Sequence, residues 1–174
     1  MAKEALLVLD MLNDFVREGA PLEVPDNRKI IPAVRREIGR ARRRGNPVIY
    51  VCDNHRVDDK EFTKYNWPPH AVRGTEGQKV IDELKPQNRD IIIKKTYYSA
   101  FYKTRLQAIL KELGVGALRL TGCLTHVCVL FTAYEAALRD YGVIVVKDGV
   151  ADLTADYHES ALRIMENTVN IRLE

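Results

Sequence analysis

Residues 117–134 read Ala-Leu-Arg-Leu-Thr-Gly-Cys-Leu-Thr-His-Val-Cys-Val-Leu-Phe-Thr-Ala-Tyr. This is an apolar run, a glycine, and then a segment of helical character whose first turn carries Cys128. A strand that turns sharply into a helix leaves unpaired backbone N–H groups and the positive end of a helix dipole beside that thiol. Both favour a thiolate, and the free amides suit an oxyanion. The position fits a nucleophile. It fits a small buried thiol packing like alanine just as well, because free cysteine is among the most buried residue types.

A second group of residues offers metal chemistry. Asp53-Asn-His55 is followed, after an irregular stretch, by Trp67-Pro68-Pro69-His70. One carboxylate oxygen and two imidazole nitrogens suit a divalent ion such as Zn, Mn or Fe, with water in the open positions. On spacing alone, His55 and His70 read more readily as loop residues making ordinary hydrogen bonds, since Asp-x-His is a common tripeptide.

Stepping along the chain shows what must position these groups. Strand-like runs fall over residues 5–9, 47–52, 90–94, 118–121, 143–147 and 168–172, and helix-like segments over 29–44, 75–84, 103–113, 125–141 and 156–167. Six β-runs joined by crossover helices predict an α/β domain of three layers, α/β/α and Rossmann-like, around a six-stranded, mostly parallel sheet. Ligands bind such sheets beyond the carboxyl ends of the strands. Asp10, Asp53 with His55, Lys95, Cys128 and Asp148 fall there. A thiol, a carboxylate and an ammonium on one rim are what acyl transfer through a thioester requires. Singly, each has a plainer role: Asp10 can cap a turn, Lys95 stands beside Lys94, and Asp148 before Gly149 reads as turn chemistry. The long irregular segment 53–74 points to function, because structureless loops of that length are uncommon in compact domains.

The 174 residues predict one domain, 1–174, large enough to bury roughly 70% of its unfolded surface without a disulfide or structural metal. With 27 Lys and Arg against 24 Asp and Glu, the net charge of +3 is too small and dispersed to argue for nucleic acid. The arginine run at 35–36 and 40–44 lies on a segment whose apolar residues Ile30, Ile31, Val34, Ile38 and Ala41 recur at helical spacing, so it reads as a solvated face. No signal peptide, lipidation motif or membrane-spanning run is read, and the expectation is a cytoplasmic protein with no membrane partner and no organic cofactor. Cys52, Cys123 and Cys128, odd in number and without a CxxC pair, read as free thiols in a reducing compartment.

Several motifs in order resemble a known family. Asp10-x-x-x-Asp14-Phe15, Lys95-Thr-Tyr-Tyr-Ser99-Ala100-Phe101 with Thr104-x-Leu106, Gly122-Cys-Leu-Thr125-His-Val-Cys128-Val, Thr132-Ala133 and a late Asp148 are similar to the motif series of the isochorismatase-like cysteine hydrolases. This superfamily includes nicotinamidases, N-carbamoylsarcosine amidases and ureidoacrylate hydrolases. The resemblance covers nearly the whole chain and implies the isochorismatase-like hydrolase fold. By matching position it implies a triad of Asp10, Lys95 and Cys128; Lys95 is chosen over Lys94 because the family's lysine stands four residues before the Ser or Asp of the Ser-Ala-Phe element. It also implies a cis peptide between Cys123 and Leu124, with the amides of Leu124 and Cys128 as an oxyanion hole.

The same resemblance bears on substrate and metal. Nicotinamidases carry an Asp-x-His and a downstream Trp-Pro-x-His that hold a metal beside the triad, which implies Asp53, His55 and His70 as ligands; Glu61, Asp58 and Asp59 are accessory candidates. Phe15, Trp67, Tyr97 and Tyr98 lie near the motifs and suit the walls of a slot for a flat ring, although core packing explains aromatic residues equally well. The implied reaction is hydrolysis of a small amide, nicotinamide-like, to carboxylate and ammonia. Leu12 stands where many members have Gln, and with His126 this favours a metal-independent N-carbamoyl or ureido amidase as the alternative. A vinyl-ether hydrolase of isochorismatase type and a non-catalytic binding module are the other classes. The partner implied is a small-molecule amide, and the family implies a homo-oligomer, dimer or tetramer.

Overall fold

A computed structural model describes residues 3–174. Its strands are β1 (Lys3–Leu9), β2 (Val48–Asp53), β3 (Ile91–Lys95), β4 (Val115–Cys123), β5 (Gly142–Ala151) and β6 (Arg172–Leu173). They form one parallel sheet in the order β3-β2-β1-β4-β5-β6. The helices are α1 (Asn13–Val16), α2 (Asn27–Arg43), α3 (Lys60–Lys64), α4 (Leu106–Glu112), α5 (Leu130–Ala137) and α6 (Ala155–Val169).

Alternation along the strands builds the layers. In β1 and β2, Leu6, Val8, Tyr50 and Cys52 enter one core with Ile30, Val34 and Ile38 of α2. The intervening Leu7, Leu9, Ile49 and Val51 enter a second core with Leu110 of α4, Ala133 of α5 and Met165 of α6. A sheet covered on both faces needs apolar residues at every position, and all six residues of β2 are buried. Arginines of α2 are held by carboxylates, Arg36 by exposed Asp148, Arg40 by buried Glu37 and Arg42 by the buried side chain of Asp90.

The strand order reverses between β1 and β4, which makes the crevice above their carboxyl ends the switch point where α/β sheets bind ligands. β4 approaches β1 so closely at Gly122 (φ 109°) that a Cβ there would lie 1.9 Å from the Leu9 carbonyl oxygen. Only glycine fits.

Four local expectations need correcting. Residues 75–84 are not a helix; apart from a 3₁₀ turn at Asp82–Leu84, this stretch runs beside residues 11–14, where Lys79 O, Gly77 O and the Ile81 N–H bond Asn13 N, Asp14 N and Met11 O. Backbone groups engaged with another segment are not free to close helical turns. The helix expected over 125–141 opens as a π turn, Thr125–Val129, before α5, and ends at Ala137. The last strand is only Arg172–Leu173, because α6 runs on to Val169 and stops at Asn170 in the left-handed region (φ 52°). β5 continues past Lys147 to Ala151 through a bulge: Leu120 pairs with Val145 and Gly122 with Val150, so β5 advances five residues while β4 advances two.

Candidate active site

Three strand ends bring Asp10, Asp53 and Lys95 together beneath Cys128. Asp10 follows β1 in the left-handed region (φ 52°), an uncommon conformation for a non-glycine residue that recurs at functional sites. Its Oδ1 accepts the Asp53 N–H at 2.8 Å, and Lys95 Nζ lies 2.9 Å from its Oδ2. Lys95 Nζ also donates to Asp53 Oδ1 and lies 3.3 Å from Cys128 Sγ. The sheet register sets this meeting, since Asp53 and Lys95 are paired neighbours on β2 and β3.

Electrostatics assign the resting charges. Burial alone would lower the Lys95 pKa, but Asp10, Asp53 and Cys128 around it hold the ammonium well above its ordinary range. Burial likewise pushes the Asp53 carboxyl up, and Lys95, His55 and His70 outweigh it and hold it well below its usual value. Asp10 goes the other way, raised by burial and by the Asp53 charge against the pull of Lys95. Burial pushes the Cys128 thiol well above its ordinary range, with Lys95 opposing. The thiolate expected from a helix start is therefore not the resting form; Cys128 rests as a thiol and needs a base.

A substitution at Lys95 tests these assignments. Wild-type Asp53, held below its unfolded value of 3.8, contributes stability that is present above that pH and lost on acidification through the folded value. In Lys95→Met two buried carboxylates face each other with no cation between them, so one takes up a proton on folding and its folded pKa lies above its unfolded one. That variant's deficit is therefore small in acid and grows as pH rises, to about 3–5 kcal/mol at pH 8. Thermal unfolding of both proteins from pH 5 to pH 8 reads the difference; a gap independent of pH would contradict the assignments.

Asp53, His55 and His70 converge beside this group, with ligand atoms all within 4.8 Å of one another. His55 Nε2 and His70 Nε2 lie 3.8 Å and 3.7 Å from Asp53 Oδ2. The opposite ring nitrogens are already engaged: His55 Nδ1 with Asp59 Oδ2 at 3.2 Å, and His70 Nδ1 with Pro68 O at 2.7 Å. Imidazoles tethered through Nδ1 to a carboxylate and a carbonyl, presenting Nε2 to a shared carboxylate, have the outer-shell arrangement of metal-ligating histidines. The donor set fits a divalent ion. Of the accessory candidates, Asp58 is exposed and pairs with Arg56, and Asp59 orients His55 while capping α3 through the Glu61 N–H. Glu61 borders the site, its carboxyl pushed up to about 7 by burial.

Asp14, the second acid of the first motif, holds the loop that carries His70. Its Oδ2 accepts the Ala71 N–H at 2.8 Å and its own N–H donates to Gly77 O. Gly77 has to be glycine here, because a Cβ would lie 2.1 Å from the Asp14 carboxylate.

A narrow cavity opens above Cys128, walled by Phe15, Trp67, Tyr97, Tyr98, Leu124 and Val127. Trp67 Nε1 donates to the Tyr98 hydroxyl at 3.0 Å, which fixes both rings, and Phe15 meets His70 edge-on with centroids 5.3 Å apart. Leu124 and Cys128 both border the cavity, and the Cys123–Leu124 peptide is cis. Phe62, unremarked in the sequence, packs against both imidazoles.

One rim residue is placed differently from expectation, and His126 lies apart from the cavity. Asp148 lies in the β5 bulge, exposed and paired with Arg36, and has no part in the site. The carboxylate that reaches the rim from β5 is Asp152, after the strand resumes; Val150-Ala151 following the Lys-Asp-Gly turn was the available signal. His126 does not border the cavity: its ring lies against Asp152 and stacks on Tyr157.

An isochorismatase domain model matches residues 4–172. Over 172 aligned residues the chain is 36% identical to a probable inactive nicotinamidase of Arabidopsis thaliana, covering 94% of this chain and 88% of that relative. N-carbamoylsarcosine amidase from Thermoplasma acidophilum superposes with a TM-score of 0.88 at 34% identity, over 99% of this chain and 95% of that one. Pyrazinamidase of Pyrococcus horikoshii, in complex with zinc, superposes at 0.92 with 30% identity, over 99% and 98%. With a family model matching residues 4–172 and solved members superposing over nearly its full length, this chain belongs to the isochorismatase family.

Proposed function

We propose that the protein hydrolyses a small planar amide, nicotinamide-like, to carboxylate and ammonia through a thioester on Cys128. The observation that carries this reading is Lys95 Nζ standing 2.9 Å from Asp10 and 3.3 Å from Cys128 Sγ at the floor of an aromatic cavity. Asp10, made more basic by burial, accepts the thiol proton as Sγ attacks the amide carbon. Lys95 stabilises the thiolate as it forms, and the amides of Leu124 and Cys128 receive the developing oxyanion. Asp10 then protonates the departing ammonia, and the thioester remains. A water molecule that gives its proton to Asp10 cleaves it, releasing the acid and restoring the thiol.

Phe15, Trp67 and Tyr98 are assigned to hold the ring, with Tyr97 beside them. Asp53, His55 and His70 would hold a divalent ion such as Zn, Mn or Fe, which supplies a Lewis-acidic anchor for a ring nitrogen. His70→Ala is expected to lower the metal content of the purified protein, near one ion per chain in the wild type, by about tenfold or more, since loss of one of three ligands removes much of the binding energy. Elemental analysis of the two proteins checks this; equal content would remove His70 from the site.

Leu12 favours a second reading. It is fully buried and bridges to Val80, so the segment after Asp10 offers no hydrogen-bonding side chain at that position, and an N-carbamoyl or ureido amide handled without metal is the alternative. The intact Asp10, Lys95 and Cys128 set weighs against a vinyl-ether hydrolase or a binding module. Ammonia release measured over nicotinamide, pyrazinamide, N-carbamoylsarcosine and a ureido amide tests the reading. The two pyridine-like amides should lead; turnover of the ureido compounds alone, unchanged by a chelator, would overturn it in favour of the second.

A further inference from the structure

Asp152 has no role in the chemistry above, yet its surroundings tie it to the turn that carries the nucleophile. Its side chain is fully buried, and it stands just beyond β5, whose last residue Ala151 pairs with Cys123; Asp152 therefore comes level with Leu124. Its Oδ2 accepts the His126 N–H at 2.7 Å, and its Oδ1 accepts the Leu153 N–H at 2.8 Å and lies 2.7 Å from His126 Nδ1. His126 sits between Leu124 and Cys128 in the π turn 125–129. Amides at the start of a helix have no intrahelical acceptor, and a buried carboxylate is among the strongest acceptors a protein can supply. A second tie acts on the same turn, from Thr125 Oγ1 to His158 Nδ1 of α6 at 2.9 Å.

Both ties hold the turn from behind, since neither Asp152 nor His126 borders the cavity above Cys128. We infer that Asp152 is a positioning residue: through the His126 N–H its carboxylate fixes the backbone that aims Leu124 and Cys128 at the substrate oxygen. The inference rests on the reading of Cys128 as the nucleophile. Misplaced oxyanion donors weaken the transition state more than the bound substrate, so loss of the tie falls on kcat rather than KM. The tie runs to the His126 backbone, which makes the His126 side chain the lesser member of the pair despite its ionisable ring.

Asp152→Asn, Asp152→Ser and His126→Ala test this. Asparagine keeps one acceptor oxygen but turns an NH₂ group toward a backbone donor, so one tie must break. In both Asp152 variants, hydrogen exchange at the amides of 124–130 is expected to quicken about tenfold or more, with β1 and β2 unchanged, while kcat for ammonia release falls about 30-fold or more and KM stays within about threefold. His126→Ala, which keeps the backbone tie, should cost at least about tenfold less in kcat than Asp152→Asn. Unchanged exchange at the turn, kcat within about threefold of wild type, or His126→Ala as damaging as Asp152→Asn would each overturn the inference. So would Asp152 variants whose buried Cys52 and Cys123 become open to alkylation, because the residue's role would then be stability. If instead Cys128→Ala kept wild-type turnover, the amidase reading would fall, and exchange at the turn would still decide the positioning role.

Discussion

Cys128→Ala is expected to lower ammonia release by about 10⁴-fold or more while leaving the unfolding midpoint close to wild type. A methyl group replaces the thiol within the same buried volume, and Lys95 keeps its two carboxylate partners, so neither packing nor the charge balance beneath the cavity is lost. What disappears is, among the described residues, the one thiol that borders the cavity, 3.3 Å from Lys95 Nζ. Cys52 and Cys123 are also buried, but burial pushes both thiols up, and neither borders that cavity. Their alanine variants should stay within about tenfold of wild type, a cost of packing rather than chemistry. Steady-state assays of the three variants, with thermal melts, check the contrast.

Asp10→Asn carries the second large effect. In the proposed mechanism one carboxylate serves as base toward the thiol, acid toward ammonia and base toward water, so the asparagine variant should lose about 10³-fold or more in both acylation and deacylation. Its raised pKa makes Asp10 a better proton acceptor than an ordinary surface carboxylate, and asparagine accepts no proton at all. The backbone tie from the Asp53 N–H to Oδ1 survives the change, which keeps the β1–β2 corner in place. Single-turnover kinetics separate the two steps. Normal acylation with slow deacylation would show that another group takes the thiol proton.

Much of this molecule is legible in its sequence because the centre of the sheet is buried on both faces: its inner strands carry long apolar runs, and glycines follow several helices. The same logic places Asp10, Asp53 and Lys95, since each is the first polar residue to end such a run or stands at its last position. Cys128 is legible through the glycine turn before it. Less legible are features fixed by long-range pairing. Residues 75–84 carry apolar spacing suggestive of a helix, but their backbone is taken up by residues 11–14. The bulge of β5 hides Asp152 behind a Lys-Asp-Gly turn that looks like the strand's end and lends Asp148 an importance it does not have. Charge balance among four buried groups is likewise a property of their meeting: a cysteine at a helix start suggests thiolate, and burial reverses the preference. His55 and His70 are separable from ordinary loop histidines only when their Nδ1 tethers to Asp59 and Pro68 are seen.

The central claim is that amide cleavage passes through a covalent bond to Cys128, and acid quenching during turnover tests it most directly. Enzyme mixed with an excess of whichever amide of the panel releases ammonia, quenched within the first turnovers and digested, should yield the peptide containing Cys128 with its mass raised by the acyl group, the label absent from the peptides of Cys52 and Cys123 and absent throughout in Cys128→Ala. Sustained ammonia release with Cys128 recovered only as the free thiol, at a turnover that Cys128→Ala shares, would contradict the account.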